Sequence, residues 1–600
     1  MRNSMKKLLY ITLIFFLLLS SPVWATDKFV STGGSADWGD CTVVGTPCSL
    51  ATANTNADDD DVVVMLDGDY TTAINPTNSG SSGHPITFQS QYEYDASGSQ
   101  YGAKVEASNP AIDLTSSQDY ITIDGVGSDN AKARIIDATN ATYIILTNSH
   151  LSMNANNQNI WFHSQLGDGC DYWEIDNNVF DAIAIAGTET TGSLLGLNDD
   201  ADYNYIHDNT FKDGSDHDFI TIRGSYNIIK GNTFYNTGLY TVCDHSWPCN
   251  GAPDEIIVVQ HGANYNVIED NIMYESGVNI GDGHLVAFHY ENSSYNITRG
   301  NIVRQMDGWG IDIFINTNTA ESSSYNTTYH NTFYKVSDDY AWRPAYLGAL
   351  LFLSEISSGS NVVTYNAYAN NIISNTGMHG FTVNETVSGR LSNNINFGNW
   401  IYNIGTEDVL FVDVDDGSAT NTLSYMETNF ASLYYENYSP NPSPLDATDP
   451  KLTDPASGDM TLHGGSGCID AAEPLTYTNG IAGGGSSDQL IVDNSYFFQA
   501  NSGITGWSAD TIYVDAATPF SVVITSINHG TSTLTLASAQ DWEDGVAVYW
   551  CPNATCFAGT APDIGAEEYS TSGNAITITY CVDGAITITP DAGGAITITY

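Results

Sequence analysis

One motif recurs through the middle of the chain. Tyr172 stands six residues before Asn178, and the spacing returns at Tyr203 and Asn209, Tyr226 and Asn232, and Tyr265 and Asn271. It continues at Tyr295 and Asn301, Tyr325 and Asn331, and Tyr365 and Asn371. An apolar residue follows two positions after each of these asparagines: Phe180, Phe211, Phe234, Met273, Val303, Phe333 and Ile373. A weaker copy carries Asn394. The asparagine intervals are 31, 23, 39, 30, 30, 40 and 23 residues. A stack of helical repeats holds its length more tightly and shows a 3.6-residue period. Here the local alternation has period two, as in Ile220-Thr221-Ile222 and Ile311-Asp312-Ile313. Constant motifs at variable spacing imply short strands joined by loops that absorb insertions.

The shortest interval fits one turn of a coil of parallel strands, and the longer ones fit that turn plus an outward loop. Successive turns stack at the ~4.8 Å strand spacing. An asparagine at a fixed corner then meets its equivalents above and below, and side-chain amides bonded along the axis lock the register. The residue two beyond faces inward, giving a continuous apolar file. The expected fold is all-β: a right-handed parallel β-helix over residues 26–440, with a small antiparallel β module near its C-terminus. A solenoid exposes raw edges at both ends and needs caps. Residues 26–60 are expected to supply the first. The run from Val62 to Tyr70 resembles the opening segment of exported β-helix proteins, and Tyr120 to Gly125 reads as another early coil.

Residues 1–25 read as a signal peptide. Lys6 and Lys7 precede the apolar run Leu8 to Leu19, and Val23-Trp24-Ala25 offers small residues for cleavage before Thr26. No later stretch has the length and apolarity of a membrane span. The protein is therefore expected to be secreted or held at the cell surface. The formal charge is −54, from 70 acidic and 16 basic residues. Nothing in that balance offsets phosphate repulsion, which argues against nucleic acid as a partner. The nine cysteines include three close pairs suited to local bridges in an exported protein: Cys41 and Cys48, Cys243 and Cys249, and Cys551 and Cys556. Cys170, Cys468 and Cys581 remain, and the odd count leaves at least one thiol unpaired within the chain.

Beyond residue 440 the composition shifts. Pro440, Pro442 and Pro444 mark a linker. Asp449-Pro450-Lys451-Leu452, Ser466 to Asp470 and Asp563 to Tyr569 resemble the closing segment of many bacterial β-helix proteins, over residues 441–570. Between its halves, near 487–558, Ser521 to Ile524 and Ser532 to Leu536 alternate as in antiparallel strands. Residues 571–600 repeat Ala-Ile-Thr-Ile-Thr from Ala575, Ala585 and Ala595. These uncharged, β-branched strands are expected to cover the cap, or to mediate self-association by strand addition.

The segment from Asp216 through Asp218, Arg223 and Lys230 to Phe234 resembles the chondroitinase-B-like and alginate lyase family. That resemblance implies Ca²⁺ held by Asp216 and Asp218, and a base at the position of Arg223. Gln260-His261-Gly262 falls where the family carries Arg-His-Gly. Arginine does not readily release a proton, so His261 and Lys230 join Arg223 as candidate catalytic groups. Such chemistry needs a cation to neutralise a uronate carboxylate and a base to remove the neighbouring proton. Arg223, His261 and Glu291 precede the tyrosines of their coils by three or four residues and are expected to form a row, with Gln260 and Glu291 contacting substrate. The alternative for that row is a set of corner residues satisfying strand ends.

A hydrolytic reading places Asp282, beside His284, with Asp307 and Asp312 as paired carboxyls. It resembles polygalacturonases only in acidic residues beside a Gly-His. Trp247, Trp309 and Trp342 are expected in loops, where exposed rings stack on sugars. Two classes of function follow. The first is a secreted protein that binds or cleaves an acidic polysaccharide by Ca²⁺-assisted β-elimination. The second is a non-catalytic surface adhesin or assembly rod.

Overall fold

The computed structural model describes residues 27–92, 102–107, 110–130, 134–153, 162–182, 193–213, 218–235, 255–276, 286–306, 309–315, 322–336, 348–354, 361–377, 379–385, 390–403, 411–413, 418–420, 449–480, 486–552 and 556–569. Each central coil contributes three short strands in order. Glu174–Asp176, Val179–Ala182 and Ser193–Leu197 make one coil, and Tyr205–His207 begins the next. Equivalent strands pair in parallel from coil to coil, building sheet A of 13 strands and sheets B and C of 12 each. The exception is the hairpin of Phe411–Asp413 with Ser418–Thr420 at the end of sheet C. This is the expected parallel β-helix.

The asparagine file is present at the corner between sheets A and B. Asn209 donates its backbone N–H and its Nδ2 to Oδ1 of Asn232, at 2.9 and 3.0 Å. Asn232 does the same to Asn271, and Asn271 to Asn301. Each Nδ2 also reaches a main-chain carbonyl, as Asn271 reaches Ile229. Every amide is thus satisfied without water, which removes the usual cost of burying it. Phe180, Phe211, Phe234, Met273, Val303, Phe333 and Ile373 pair in sequence along sheet B and are buried.

A second asparagine file runs along the corner that enters sheet A. Asn204, Asn227, Asn266, Asn296, Asn326, Asn366 and Asn394 follow one another with backbone N–H to Oδ1 distances of 2.8–3.1 Å. Asn394 therefore belongs to this file and not to the first, where Asn371 instead donates to Asn399. The repeat's tyrosines form a third file outside the coil. Tyr120, Tyr143, Tyr172, Tyr203, Tyr226, Tyr265, Tyr295, Tyr325 and Tyr365 stack with centroids 4.7–5.3 Å apart. All nine have φ between 54° and 64°. A bulky residue in that region is strained in isolation, and the stacked rings, worth about 0.5–1.5 kcal/mol per pair, offset it.

The N-terminal cap forms where expected. Helix Leu50–Asn56 starts at Ser49, whose side chain accepts from the Thr52 N–H. The Tyr70 hydroxyl ties Val30 and Leu66 carbonyls at 2.9 and 2.7 Å. The antiparallel module has six strands between Thr476 and Cys551. It lies along the side of the rod: Trp507, Phe497 and Trp550 pack with Tyr205, Val267, Tyr329 and Phe397 of sheet A. The flanking segments cover the last coils of sheet B, with Leu462, Cys468 and Ile564 against Ile372 and Trp400. Cys551 and Cys556 are bridged. Cys41 and Cys48 bring their sulfurs within 2.6 Å, and Cys170 and Cys468 are buried thiols. Cys243, Cys249, Cys581, the signal segment and the 571–600 repeats lie outside the described residues. No helix among the described residues is long and apolar enough to cross a membrane.

Candidate functional site on sheet C

The C-terminal segments pack on sheets A and B. Sheet C carries the polar cluster most suited to chemistry. Through the middle of its strands side chains alternate, so Phe288 and Tyr290, or Ile311 and Ile313, face the core while the residues between them face outward. Thr221, Val258, His289 and Asp312 then stand in one outward row, paired coil to coil. A second row lies two residues on, where Gln260 pairs with Glu291 and Glu291 with Phe314. Ile222 pairs with Val259, which puts Arg223 next to Gln260 in that same row.

His289 is the centre of the cluster. Its Nδ1 is 2.7 Å from Asp312 Oδ1, and its Nε2 is 4.0 Å from Glu291 Oε2. The side chains are recessed, at 12% exposure for His289, 3% for Asp312 and 16% for Glu291. Burial opposes the charged imidazole, but the Asp312 charge and hydrogen bond outweigh it, helped by Glu291 and Asp218. The pKa of His289 rises to about 9. The ring is an imidazolium at neutral pH, held with one edge on Asp312 and one toward Glu291. Asp218 is buried nearby, its Oδ2 accepting from Thr221 Oγ1 at 2.6 Å and Ser193 Oγ at 3.2 Å.

The expected row is corrected by one residue. Arg223, Gln260 and Glu291 are the aligned set. His261 sits one position further, exposed, in a left-handed turn with φ 60°, and does not face the same row. Lys230 is on sheet A, bonded to Glu269 Oε1 at 2.5 Å with Trp507 over its ammonium. It neither joins Arg223 nor is free to act as a base. Trp309 is not in a loop: it is the first residue of strand Trp309–Ile315 and is buried. Asp216, Trp247, Asp282, His284, Asp307 and Trp342 lie outside the described residues. Asp312, one of the proposed paired carboxyls, instead orients His289. His289 itself was missed, although Phe288-His289-Tyr290-Glu291 carries the signal: polar residues at period two between two aromatic core residues.

Among the described residues no group of three His, Cys, Asp or Glu side chains is placed to hold a metal ion. Asp218, the described member of the expected calcium pair, spends one carboxylate oxygen on two hydroxyls. Asp216, the other member of that pair, lies outside the described residues.

Topology and site together define a parallel β-helix with a recessed histidine–carboxylate cluster on one face. No protein-family model matches the chain, and no curated protein does. Among solved structures it is similar to pectate lyase Pel9A, at 13% identity and a TM-score of 0.35, over 92% of this chain and 98% of that one. It is similar also to an alginate lyase from Paenibacillus sp. str. FPU-7, at 18% identity and 0.36, over 54% and 99%. A third is the catalytic domain of a GH87 α-1,3-glucanase, at 12% and 0.35, over 65% and 67%. Likeness at this distance says nothing of substrate.

Proposed function

We propose that the protein is a secreted β-helix that binds an acidic polysaccharide along sheet C and cleaves it by β-elimination. The observation that carries the reading is the imidazolium of His289, held charged in a recess by Asp312 and facing Glu291. Asp312 occupies the Nδ1 edge, which leaves the Nε2 proton, on the Glu291 side, as the acid for a departing glycosidic oxygen. Rows that repeat at the strand spacing suit an extended polymer.

The chemistry balances as follows. Arg223 neutralises the uronate carboxylate, which makes the adjacent C–H more acidic. Glu291 takes that proton. The electron pair forms the new C=C bond as the glycosidic C–O bond breaks, and His289 gives its proton to the departing oxygen. Asp312 keeps the imidazole oriented throughout. The test is incubation with a panel of uronate polymers, following unsaturated chain ends. Product that disappears in Glu291→Gln and His289→Ala is the expected result. Product unaffected by both discards this site. The second reading, a non-catalytic rod for adhesion, is favoured by the scarcity of basic residues, and absence of product from every polymer would select it.

A further inference from the structure

A second concavity lies on sheet A, on a different face from the histidine cluster. It is a cleft of about 440 Å³, within the range of sites that take small molecules. Its floor is one outward row, Thr122, Ile145, Glu174 and Tyr205, paired coil to coil. Tyr120, Tyr143 and Tyr172 of the aromatic file line it. The turn around Ser81 to Pro85, in the preceding coil, and Ile504 with Thr505 of the antiparallel module also line it. These bound it toward opposite ends of the rod. The cleft therefore spans about three rungs, roughly 15 Å at the strand spacing.

We propose that this cleft binds a short neutral oligosaccharide lying along the rod axis. A sugar ring presents apolar C–H faces and a rim of hydroxyls. The cleft matches both, with Ile145 and the edges of the stacked tyrosine rings for the former and Glu174, Thr122 and Thr505 for the latter. The stacked tyrosines offer one equivalent contact per rung, 4.7–5.0 Å apart, so like units of a polymer meet like surroundings. Glu174 is one-third exposed, and its carboxylate is an acceptor for paired sugar hydroxyls. It is also held in place. His207 reaches Glu174 Oε1 at 3.4 Å through Nε2 and Asp208 at 2.8 Å through Nδ1, while stacking on Tyr205. With Glu174 at its centre the cleft repels a polyuronate, which separates its ligand from that of sheet C.

The proposal does not depend on the sheet C reading, and the test distinguishes them. The full chain is titrated with neutral oligosaccharides from cellulose, xylan, β-1,3-glucan and mannan, and with oligouronates, by calorimetry. At least one neutral series is expected to bind. Glu174→Gln and Tyr143→Ala are each expected to weaken it roughly tenfold, the scale of one good hydrogen bond to a charged group; Glu174→Gln is expected to leave thermal melting unchanged, and Tyr143→Ala, which opens the tyrosine stack, to lower it modestly. His289→Ala is expected to leave it intact. Silence from every neutral series up to millimolar concentration overturns the proposal. So does binding that survives the Glu174→Gln, Tyr143→Ala double variant, or binding that His289→Ala removes.

Discussion

Arg299 of the rod and Asp510 of the antiparallel module form a bidentate pair, with Nη1 to Oδ2 at 2.8 Å and Nη2 to Oδ1 at 2.6 Å. Both are buried. Arg299 Nε also donates to Glu269 Oε2 at 2.7 Å, and Nη1 to the Tyr329 hydroxyl at 2.8 Å, with Trp550 4.3 Å above the guanidinium. One cation thus joins two carboxylates from distant parts of the chain. Removing it leaves both carboxylates buried, with Glu269 still paired to Lys230. Losing one partner of a buried pair costs about 3–5 kcal/mol. Arg299→Met is therefore expected to release the module from sheet A. Urea unfolding with limited proteolysis checks it, an early cut between residues 449 and 569 being the expected outcome. A variant as resistant as the parent would contradict it.

The asparagine files make a second prediction. Asn271 accepts the N–H and Nδ2 of Asn232 and donates to Ile229 and Asn301. Asn271→Ala takes the acceptor from the buried Asn232 N–H and the donor from the Ile229 carbonyl, and each unsatisfied group costs about 1–3 kcal/mol. Asn271→Asp keeps the acceptor but loses the donor and adds a charge. Both are expected to lower the melting temperature, whereas Asn177→Gly, at the exposed corner beside Asn178 and free to keep its φ of 54°, is expected to change it little. Calorimetric melts of the three variants decide the matter.

How far the sequence could carry this fold is visible in the last coil. Asn394 looked like the end of the first file because a run of asparagines offered several anchors. The structure puts Asn393 at the tyrosine position, with φ 54°, and Asn399 six residues later in the file. The spacing was intact; only the tyrosine had been replaced. Period and spacing report which residues share a corner, which is why the files were legible. They do not report which coil a loop residue crosses to, so the His289–Asp312 contact, 23 residues apart in sequence and one rung apart in space, required the register. Lys230 was misplaced for a related reason. Nearness to Arg223 in sequence hides a corner that carries the two onto different sheets.

The charge on His289 sets a pH dependence. Its folded pKa, about 9, is above the ordinary histidine value of 6.5. Its contribution to stability is thus fully present below 6.5 and is lost as pH rises through about 9. Retention of an anionic glycan is expected to be flat between pH 6 and 8 and to fall steeply through 9. Asp312→Asn removes the largest stabilising influence and moves that fall to lower pH. Affinity electrophoresis across the range measures both. An unshifted midpoint in Asp312→Asn would show that another group carries the dependence.

Glu568 titrates with the opposite starting point. Burial, together with the Asp563 and Asp470 charges, raises its pKa from 4.5 to about 8, against the N–H of Asp563 that it accepts. The carboxyl is therefore neutral in the folded protein at pH 7, and ionised when unfolded. A raised acid contributes stability that is complete below 4.5 and is lost as pH climbs through about 8. The segment from Cys556 to Tyr569 rests on the rod through Ile564, through the Asp563 carbonyl bonded to His330, and through the Gly565 N–H donating to Asn370. Ionising Glu568 inside it places a second charge beside Asp563. Amide exchange in this segment is expected to accelerate between pH 5 and 9 beyond the intrinsic rise, while the central asparagine files stay protected. Glu568→Gln keeps the acceptor oxygen and cannot ionise, so its excess acceleration is expected to vanish. If Glu568→Gln exchanges with the parent's pH profile, the dependence belongs to another group.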